Sequence, residues 1–117
     1  MAIMAALIRI GKLLQMRILV VGSGAREHAI IKALIRTGTD AGDIVCAPGN
    51  KYIAKQVEVR ALDDACDKLA VTRIALEEAV DLAVIGPEAP LVEGVADALR
   101  TQGIQVFGPN QKAAARK

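Results

Sequence analysis

The chain has 117 residues, which is long enough for one domain with a substantial core but short for a complete enzyme with two substrates. Hydrophobic residues make up 53% of it, mostly Ala, Val, Ile and Leu, whereas Tyr52 and Phe107 are its only aromatic residues. The shortage of aromatic rings argues against a single-stranded nucleic-acid binder. The net charge of +2 comes from acidic and basic residues mixed along the chain, so no basic stripe is available for nucleic acid.

The cysteines indicate the cellular compartment. Cys46 and Cys66 stand in apolar surroundings without a CxxC partner, which is typical of free thiols in a reducing cytosol. We therefore expect a cytoplasmic protein, with no nucleic-acid or membrane partner.

Residues 1–15 have the sequence MAIMAALIRIGKLLQ and are apolar on nearly every face. The run is too short to cross a bilayer, and it lacks the small-residue cleavage site of a secretory signal. A second methionine, Met16, follows it. We expect residues 1–15 to be an extension that results from an upstream start codon or from cloning, and residues 16–117 to be the functional domain.

Residues 17–35 combine an aliphatic run, a glycine-rich turn and an amphipathic helix. The run from Ile18 to Val21 has no polar residue, which predicts a strand buried on both faces of a parallel sheet. Gly22, Ser23 and Gly24 then allow a tight turn that a ligand can approach closely. The helix that follows is predicted to have an inner face of Ala29, Ile30, Ala33 and Leu34 and an outer face of Arg26, Glu27, Lys32 and Arg36.

This turn directs backbone N–H groups and the positive end of a helix dipole at one point. Such a point suits an anion, most often a phosphate. The alternative is a structural turn without a ligand, because glycine is needed there in either case.

The rest of the chain alternates short aliphatic runs with helical patterns. Strands are predicted at 43–47, 57–59, 81–85 and 104–107, a short helical turn at 51–55, and helices at 62–79, 91–101 and from 111 onward. The helix at 62–79 has a predicted apolar face of Leu62, Cys66, Leu69, Ile74 and Leu76, with a break near residues 71–72. Gly38 and Gly103 are placed to end the helices before them.

Four of the strands run directly into glycine-containing turns, at residues 22–24, 48–50, 86–88 and 108–110. The pattern predicts an α/β fold with an open parallel sheet flanked by helices, in a Rossmann-like arrangement. Because ligands bind such sheets beyond the carboxyl ends of the strands, we expect the four turns to share one functional rim.

A dinucleotide site at this rim is disfavoured by two residues. The fingerprint G-x-G-x-x-G requires glycine at position 27, where the chain has Glu27, and that carboxylate would repel a pyrophosphate. The second strand ends in Cys46, Ala47 and Pro48 without the acidic residue that binds ribose hydroxyls. A nicotinamide-dependent oxidoreductase is therefore a minor alternative.

Four motifs in order carry a specific resemblance: GSGAREHA at 22–29, APGN at 47–50, GPEAPL at 86–91 and FGPNQKAAAR at 107–116. They resemble the N-terminal, pre-ATP-grasp domain of the phosphoribosylamine-glycine ligase (glycinamide ribonucleotide synthetase) family. The resemblance covers residues 16–116. Two departures concern local detail: Ala25 replaces a second glycine, and Lys51, Tyr52 and Ile53 replace small residues.

The resemblance implies a reaction in de novo purine synthesis, in which 5-phosphoribosylamine and glycine are joined at the expense of ATP through a glycyl phosphate. It implies that ATP and Mg²⁺ (or Mn²⁺) bind the full-length enzyme between two later domains, and that the partners of this domain are the ATP-grasp and C-terminal domains of the same protein. Residues 16–117 would then form a substrate-side domain, truncated before the ATP-grasp region. We expect it to bind neither cofactor and to be inactive by itself.

The candidate substrate-binding residues all lie at the predicted rim: Gly22, Ser23, Gly24, Arg26, Glu27, Gly49, Asn50, Pro87 and Glu88. No catalytic residue and no metal ligand is expected among residues 16–117. The strongest candidate is Glu88, because flanking prolines hold it rigidly and a carboxylate can accept from two neighbouring ribose hydroxyls. Related ATP-grasp ribonucleotide enzymes similarly use a glutamate of this domain for the ribose.

Several candidates also have a structural interpretation. Arg26 can form a bidentate bond to a phosphate or carboxylate, or it can be a solvated helix residue. Glu27 can position Arg26 or His28, bind an amine, or simply favour the first helical turn. His28 is more often a packed residue than an acid or base, and Asn50 is a turn former before it is a ligand. The rival to an enzyme domain is a non-catalytic module that binds a ribose phosphate or docks a partner.

Overall fold

A computed structural model describes residues 16–85 and 92–107 of the chain, with side chains of Val92 and Glu93 excepted. The predictions for residues 1–15, for the turns after residues 85 and 107, and for a helix from 111 onward lie outside the described residues. The described residues form five strands and three α-helices: β1 (Ile18–Gly22), α1 (Ala25–Arg36), β2 (Ile44–Pro48), β3 (Glu58–Val59), α2 (Lys68–Glu77), β4 (Leu82–Ile85), α3 (Val92–Thr101) and β5 (Gln105–Phe107).

The five strands form one parallel sheet in the order β3-β2-β1-β4-β5. β1 lies at the centre, with Ile18 beside Ile44 of β2 on one side and beside Leu82 of β4 on the other. β3 is a two-residue edge strand, as its short aliphatic run predicts. The predicted α/β class and the Rossmann-like open parallel sheet are confirmed.

Helices cover both faces of the sheet, so the aliphatic strands need no polar face. On one face α1 packs through Ile31 against Ile18 and Val20, together with Ile53 and Val57. On the other face α2 and α3 pack side by side over the strands. This second core contains Leu19, Val21, Val45, Ala47, Val71, Ile74, Ala75, Val80, Ala83, Ile85, Val95, Ala96, Leu99 and Ile104.

The predicted helix at 62–79 is wrong in both its start and its inner face. α2 begins only at Lys68, because the Asp67 carboxylate accepts hydrogen bonds from the N–H groups of Leu69 and Ala70 and caps the helix there. Leu69 is 77% exposed, and Leu76 is 52% exposed. Ile74 of the predicted face is buried, and it faces the sheet together with Val71 and Ala75, a set at the i, i+3 and i+4 spacing of a single helix face. The helix also continues without the predicted break near residues 71–72.

Arg17 ties the amino end of β1 to the neighbouring elements. Its Nε and Nη2 donate to the carbonyl and carboxylate oxygens of Glu78, at 2.7 and 2.9 Å. The other carboxylate oxygen of Glu78 accepts from Arg60 at 2.6 Å. The charges of Arg17 and Glu78 therefore pair with each other at the edge of the sheet opposite the carboxyl ends. None of the described residues belongs to a helix that is long and apolar enough to cross a membrane.

Candidate functional site at the carboxyl edge of the sheet

The strand registers place four strand ends at one edge. Gly22 lies beside Pro48, Val21 beside Ile85, and Val84 beside Phe107. The chain therefore leaves β1, β2, β4 and β5 on the same side, as the predicted rim requires. Of the four turns, the described residues include those after β1 and β2, whereas Pro87, Glu88 and residues 108–110 lie outside them.

The first two turns are joined by hydrogen bonds from the second to the first. The Gly49 N–H donates to the Gly22 carbonyl at 3.0 Å. Asn50 Nδ2 donates to the Ser23 carbonyl at 2.7 Å, and its Oδ1 accepts from the N–H groups of Tyr52 and Ile53, both at 2.9 Å. Asn50 thus stabilises its own turn and fixes the turn of residues 22–24 at the same time.

Glu27 is buried, contrary to the predicted outer face of α1. Only 1% of its surface is exposed, and its Oε1 accepts from the Gly24 N–H at 2.9 Å. Gly24 is the residue that precedes the first turn of α1 and Glu27 is the third residue of the helix, so the contact is the carboxylate half of a capping box. The capping bond turns the side chain back toward β1, which explains why simple helical periodicity misplaced it.

The Glu27 carboxylate leaves no room for a side chain at position 22. The φ of Gly22 is +143°, and a Cβ built on it would lie 2.5 Å from Cγ, Cδ and Oε1 of Glu27. Gly49 has φ +67°, and a Cβ there would lie 2.7 Å from Cγ1 of Val59. Both glycines are therefore required by close packing within the protein, in addition to any approach of a ligand.

The backbone carbonyls and the backbone N–H groups around residues 22–24 differ in whether they have partners within the protein. The carbonyls of Gly22, Ser23 and Gly24 all accept from within the protein, the last from the His28 N–H at 3.2 Å. Among the described residues, the Ser23 N–H and the Ala25 N–H donate no hydrogen bond. Ser23 and Arg26 are also exposed. The surface of this turn therefore offers donors, which suits the acceptor atoms of a ligand.

Cys46 lies directly beneath the two turns. It is fully buried, and its thiol donates to the Gly22 carbonyl at 3.4 Å. Burial, and to a smaller extent the negative charge of Glu27, raise the pKa of the Cys46 thiol to about 12. The thiol is thus a packing group and a weak donor, not a nucleophile.

The segment after Asn50 shows why larger residues are accommodated there. Ile53 is fully buried in the core beneath α1. Tyr52 is exposed, with the ammonium groups of Lys51 and Lys55 at 5.3 and 5.8 Å from the centre of its ring. His28 on α1 is hydrogen-bonded through Nε2 to the Gln56 side chain at 2.9 Å, in line with a packed histidine.

The structure therefore brings together six of the predicted site residues: Gly22, Ser23, Gly24, Glu27, Gly49 and Asn50. The sequence analysis did not identify Cys46 as part of this region. The residues around Cys46 indicate only that it lies in a buried strand. The burial of Glu27 did have a signal, the spacing Gly24-x-x-Glu27 of a capping box. Within residues 16–85 and 92–107, no cluster of His, Cys, Asp and Glu side chains could hold a metal ion.

Comparison with known proteins gives a family match. Residues 16–116 match the family model described as the phosphoribosylglycinamide synthetase N domain. The chain is similar to the phosphoribosylamine–glycine ligase of Leifsonia xyli subsp. xyli, with 58% identity over 101 residues that cover 85% of this chain and 24% of the relative.

Other relatives carry the same name. The proteins of Streptomyces coelicolor and of Mycobacterium tuberculosis H37Rv are each 50% identical over 99 residues, which cover 85% of this chain and 23% of each relative. The chain thus spans about a quarter of the length of the curated relatives that it matches.

Proposed function

The chain belongs to the phosphoribosylglycinamide synthetase N-domain family, and on that premise we propose that it forms the substrate-side domain of a ligase that joins 5-phosphoribosylamine to glycine in de novo purine biosynthesis. The observation that carries the proposal is the family match over residues 16–116. The shared name of relatives that are 50–58% identical to the chain supports the same ligase. We further propose that residues 16–117 are one domain, that residues 1–15 are an extension, and that the ligase acts in the cytoplasm.

The turns at the carboxyl edge of the sheet are the proposed contact with phosphoribosylamine. The N–H groups of Ser23 and Ala25 would hold acceptor atoms of the substrate, and Gly49 and Asn50 keep the turn of residues 22–24 in position. Pro87 and Glu88 follow β4, whose carboxyl end lies at the same edge. We assign the Glu88 carboxylate to the ribose hydroxyls and Arg26 to the carboxylate of glycine or to the glycyl phosphate.

ATP and Mg²⁺ are assigned to other domains of the full-length enzyme. The described residues offer no set of metal ligands, and the donors around Ser23 lie above a buried carboxylate, which does not suit a triphosphate. We expect the 117-residue chain alone to show no ligase activity and no measurable affinity for Mg-ATP.

A chimeric ligase tests the proposal. Residues 16–116 replace the matching 101 residues of the Leifsonia xyli relative, and the chimera is assayed for glycinamide ribonucleotide formed from phosphoribosylamine, glycine and ATP. We expect activity within about tenfold of the parent, because the relative differs at fewer than half of the aligned positions. The matched control carries no N-terminal domain and should be inactive.

The competing module function predicts a different result. If the chain only binds a ribose phosphate or docks a partner, the chimera would fold but fail to form product. A folded chimera with no activity, judged against the active parent under the same conditions, would therefore reject the ligase assignment.

A further inference from the structure

A negative charge lies where a phosphate-binding turn has none. In the G-x-G-x-x-G turn the third position is a glycine, which has no side chain, and a pyrophosphate binds at the helix N-terminus. Here Glu27 occupies that third position, and its Oε1 already accepts the Gly24 N–H at 2.9 Å. The chain thus supplies its own anion to the positive end of α1.

The Glu27 carboxylate is also incompletely neutralised. Its Oε2 is buried and has no hydrogen-bond partner within residues 16–85 and 92–107. Among the described residues, no Lys, Arg or His forms an ion pair with it. Because the side chain is 1% exposed and packed against Gly22, water screens its charge poorly.

From this geometry we propose that Glu27 makes the turn of residues 22–24 select against a dianionic phosphate. The turn would then receive an uncharged acceptor, such as a ribose hydroxyl or ring oxygen. The orientation of the substrate follows, and this second step rests on the proposed function: phosphoribosylamine binds with its ribose toward the turn and its phosphate away from it.

Electrostatics sets the size of the effect. An acceptor bound to the Ser23 or Ala25 N–H would lie on the order of 6 Å from the carboxylate. This distance is about the length of the Glu27–Gly24 hydrogen bond plus that of a second hydrogen bond, from the neighbouring N–H to the ligand. Two like charges at that separation in a partly dehydrated site repel strongly enough to weaken binding by about tenfold or more. A neutral oxygen bound to the same N–H groups pays no such penalty.

The cost of keeping Glu27 supports a selective role. A buried carboxylate with one unpaired oxygen destabilises a fold, and this one also requires residue 22 to be glycine. An uncharged capping residue such as Gln would satisfy the Gly24 N–H without the charge. The capping bond therefore does not require the charge, and a local feature that costs stability beyond its structural need is characteristic of functional sites.

Inorganic phosphate is the probe that tests the selection, and it needs no ligase activity. The 117-residue chain, Glu27→Gln and Glu27→Ala are titrated with phosphate at pH 8 while the backbone amides of Gly22, Ser23, Gly24 and Ala25 are followed by NMR. The alanine variant completes a G-x-G-x-x-A fingerprint. Glu58→Gln is the matched control, because Glu58 is exposed on β3, two strands away from β1.

We expect no saturable shift of these amides in the wild type or in Glu58→Gln up to about 100 mM phosphate, a range set by the weakest affinities that titration resolves. Both Glu27 variants should bind phosphate at least about tenfold more tightly at these amides.

Unchanged affinity for phosphate in the folded variants would overturn the proposal. If neither variant folds, the wild type decides: saturable shifts below about 10 mM phosphate overturn the selection, and their absence supports it. A ligase-negative chimera would leave this result intact, so the two proposals fail separately.

Discussion

Gly22 and Glu27 depend on each other, which makes position 22 the sharpest test of the site at the scale of single residues. Gly22→Ala combines a positive φ with a Cβ only 2.5 Å from the Glu27 carboxyl group. We expect the free energy of unfolding to fall by about 3 kcal/mol or more, from backbone strain and overpacking together. Chemical denaturation of the 117-residue chain measures it.

The control for this prediction is Gly103→Ala. Gly103 has φ +82° and no atom within 4 Å of a built Cβ, so it reports backbone strain alone, about 1 kcal/mol. The double variant Gly22→Ala/Glu27→Ala should recover part of the loss, because the clash is removed. Equal losses at positions 22 and 103 would show that the carboxylate does not restrict residue 22.

Cys46 gives a pH-dependent prediction. Its folded pKa of about 12 lies above the ordinary value of 9.0, so the neutral thiol contributes stability that is fully present below pH 9 and is lost as the pH rises toward 12. We expect the stability of the wild type to fall between pH 9 and 11 by up to about 1.4 kcal/mol per pH unit more than that of Cys46→Ala. Parallel denaturation series of the two proteins measure the difference, and superimposable pH profiles would contradict a buried thiol.

At the scale of elements, sequence patterns predicted strands better than helices. Each aliphatic run before a glycine became a parallel strand within a residue or two, because such a run can be buried on both faces of a covered sheet. α2 was misjudged because Asp67 delays its start and because large leucines do not define its inner face. Small and branched residues do so instead, as they let α2 pack closely beside α3.

The corrected inner face of α2 predicts unequal costs of truncation. Ile74→Ala should lower the free energy of unfolding by about 2–4 kcal/mol, because Ile74 is buried between the helix and the sheet. Leu69→Ala is the control of similar size and should change it by less than about 0.5 kcal/mol, since Leu69 is 77% exposed. Comparable losses would restore the face predicted from the sequence.

At the scale of the whole molecule, the parallel order of the strands produces the site. Strand ends that are far apart in the chain lie at one edge because β1, β2, β4 and β5 run in the same direction. That convergence was predictable from glycine-terminated strands. The buried state of Glu27 was not, since it depends on a capping bond and on the space that Gly22 leaves for it.

Glu88 provides the prediction that reaches the whole enzyme, and the chimeric ligase is the protein in which to test it. Glu88→Gln keeps the shape of the side chain but removes its charge. If the carboxylate accepts from the ribose hydroxyls, the variant loses about 1–2 kcal/mol of binding, because a charge-assisted hydrogen bond is worth roughly twice a neutral one. We therefore expect kcat/KM for phosphoribosylamine to fall about five- to thirtyfold.

The same variant separates a ribose contact from a structural role. The kcat/KM for ATP and the melting temperature should barely change, because ATP is assigned to other domains and the turn predicted at residues 86–88 would place the carboxylate outside the core. Glu58→Gln, an identical change at an exposed position on β3, should leave all of these constants unchanged. If Glu88 only fixes its turn, Glu88→Gln would instead lower the melting temperature and weaken the kinetics for ATP, glycine and phosphoribosylamine alike. That pattern would reject the assignment of Glu88 to the ribose hydroxyls. The donors near Ser23 would then remain as the proposed substrate contact of this domain.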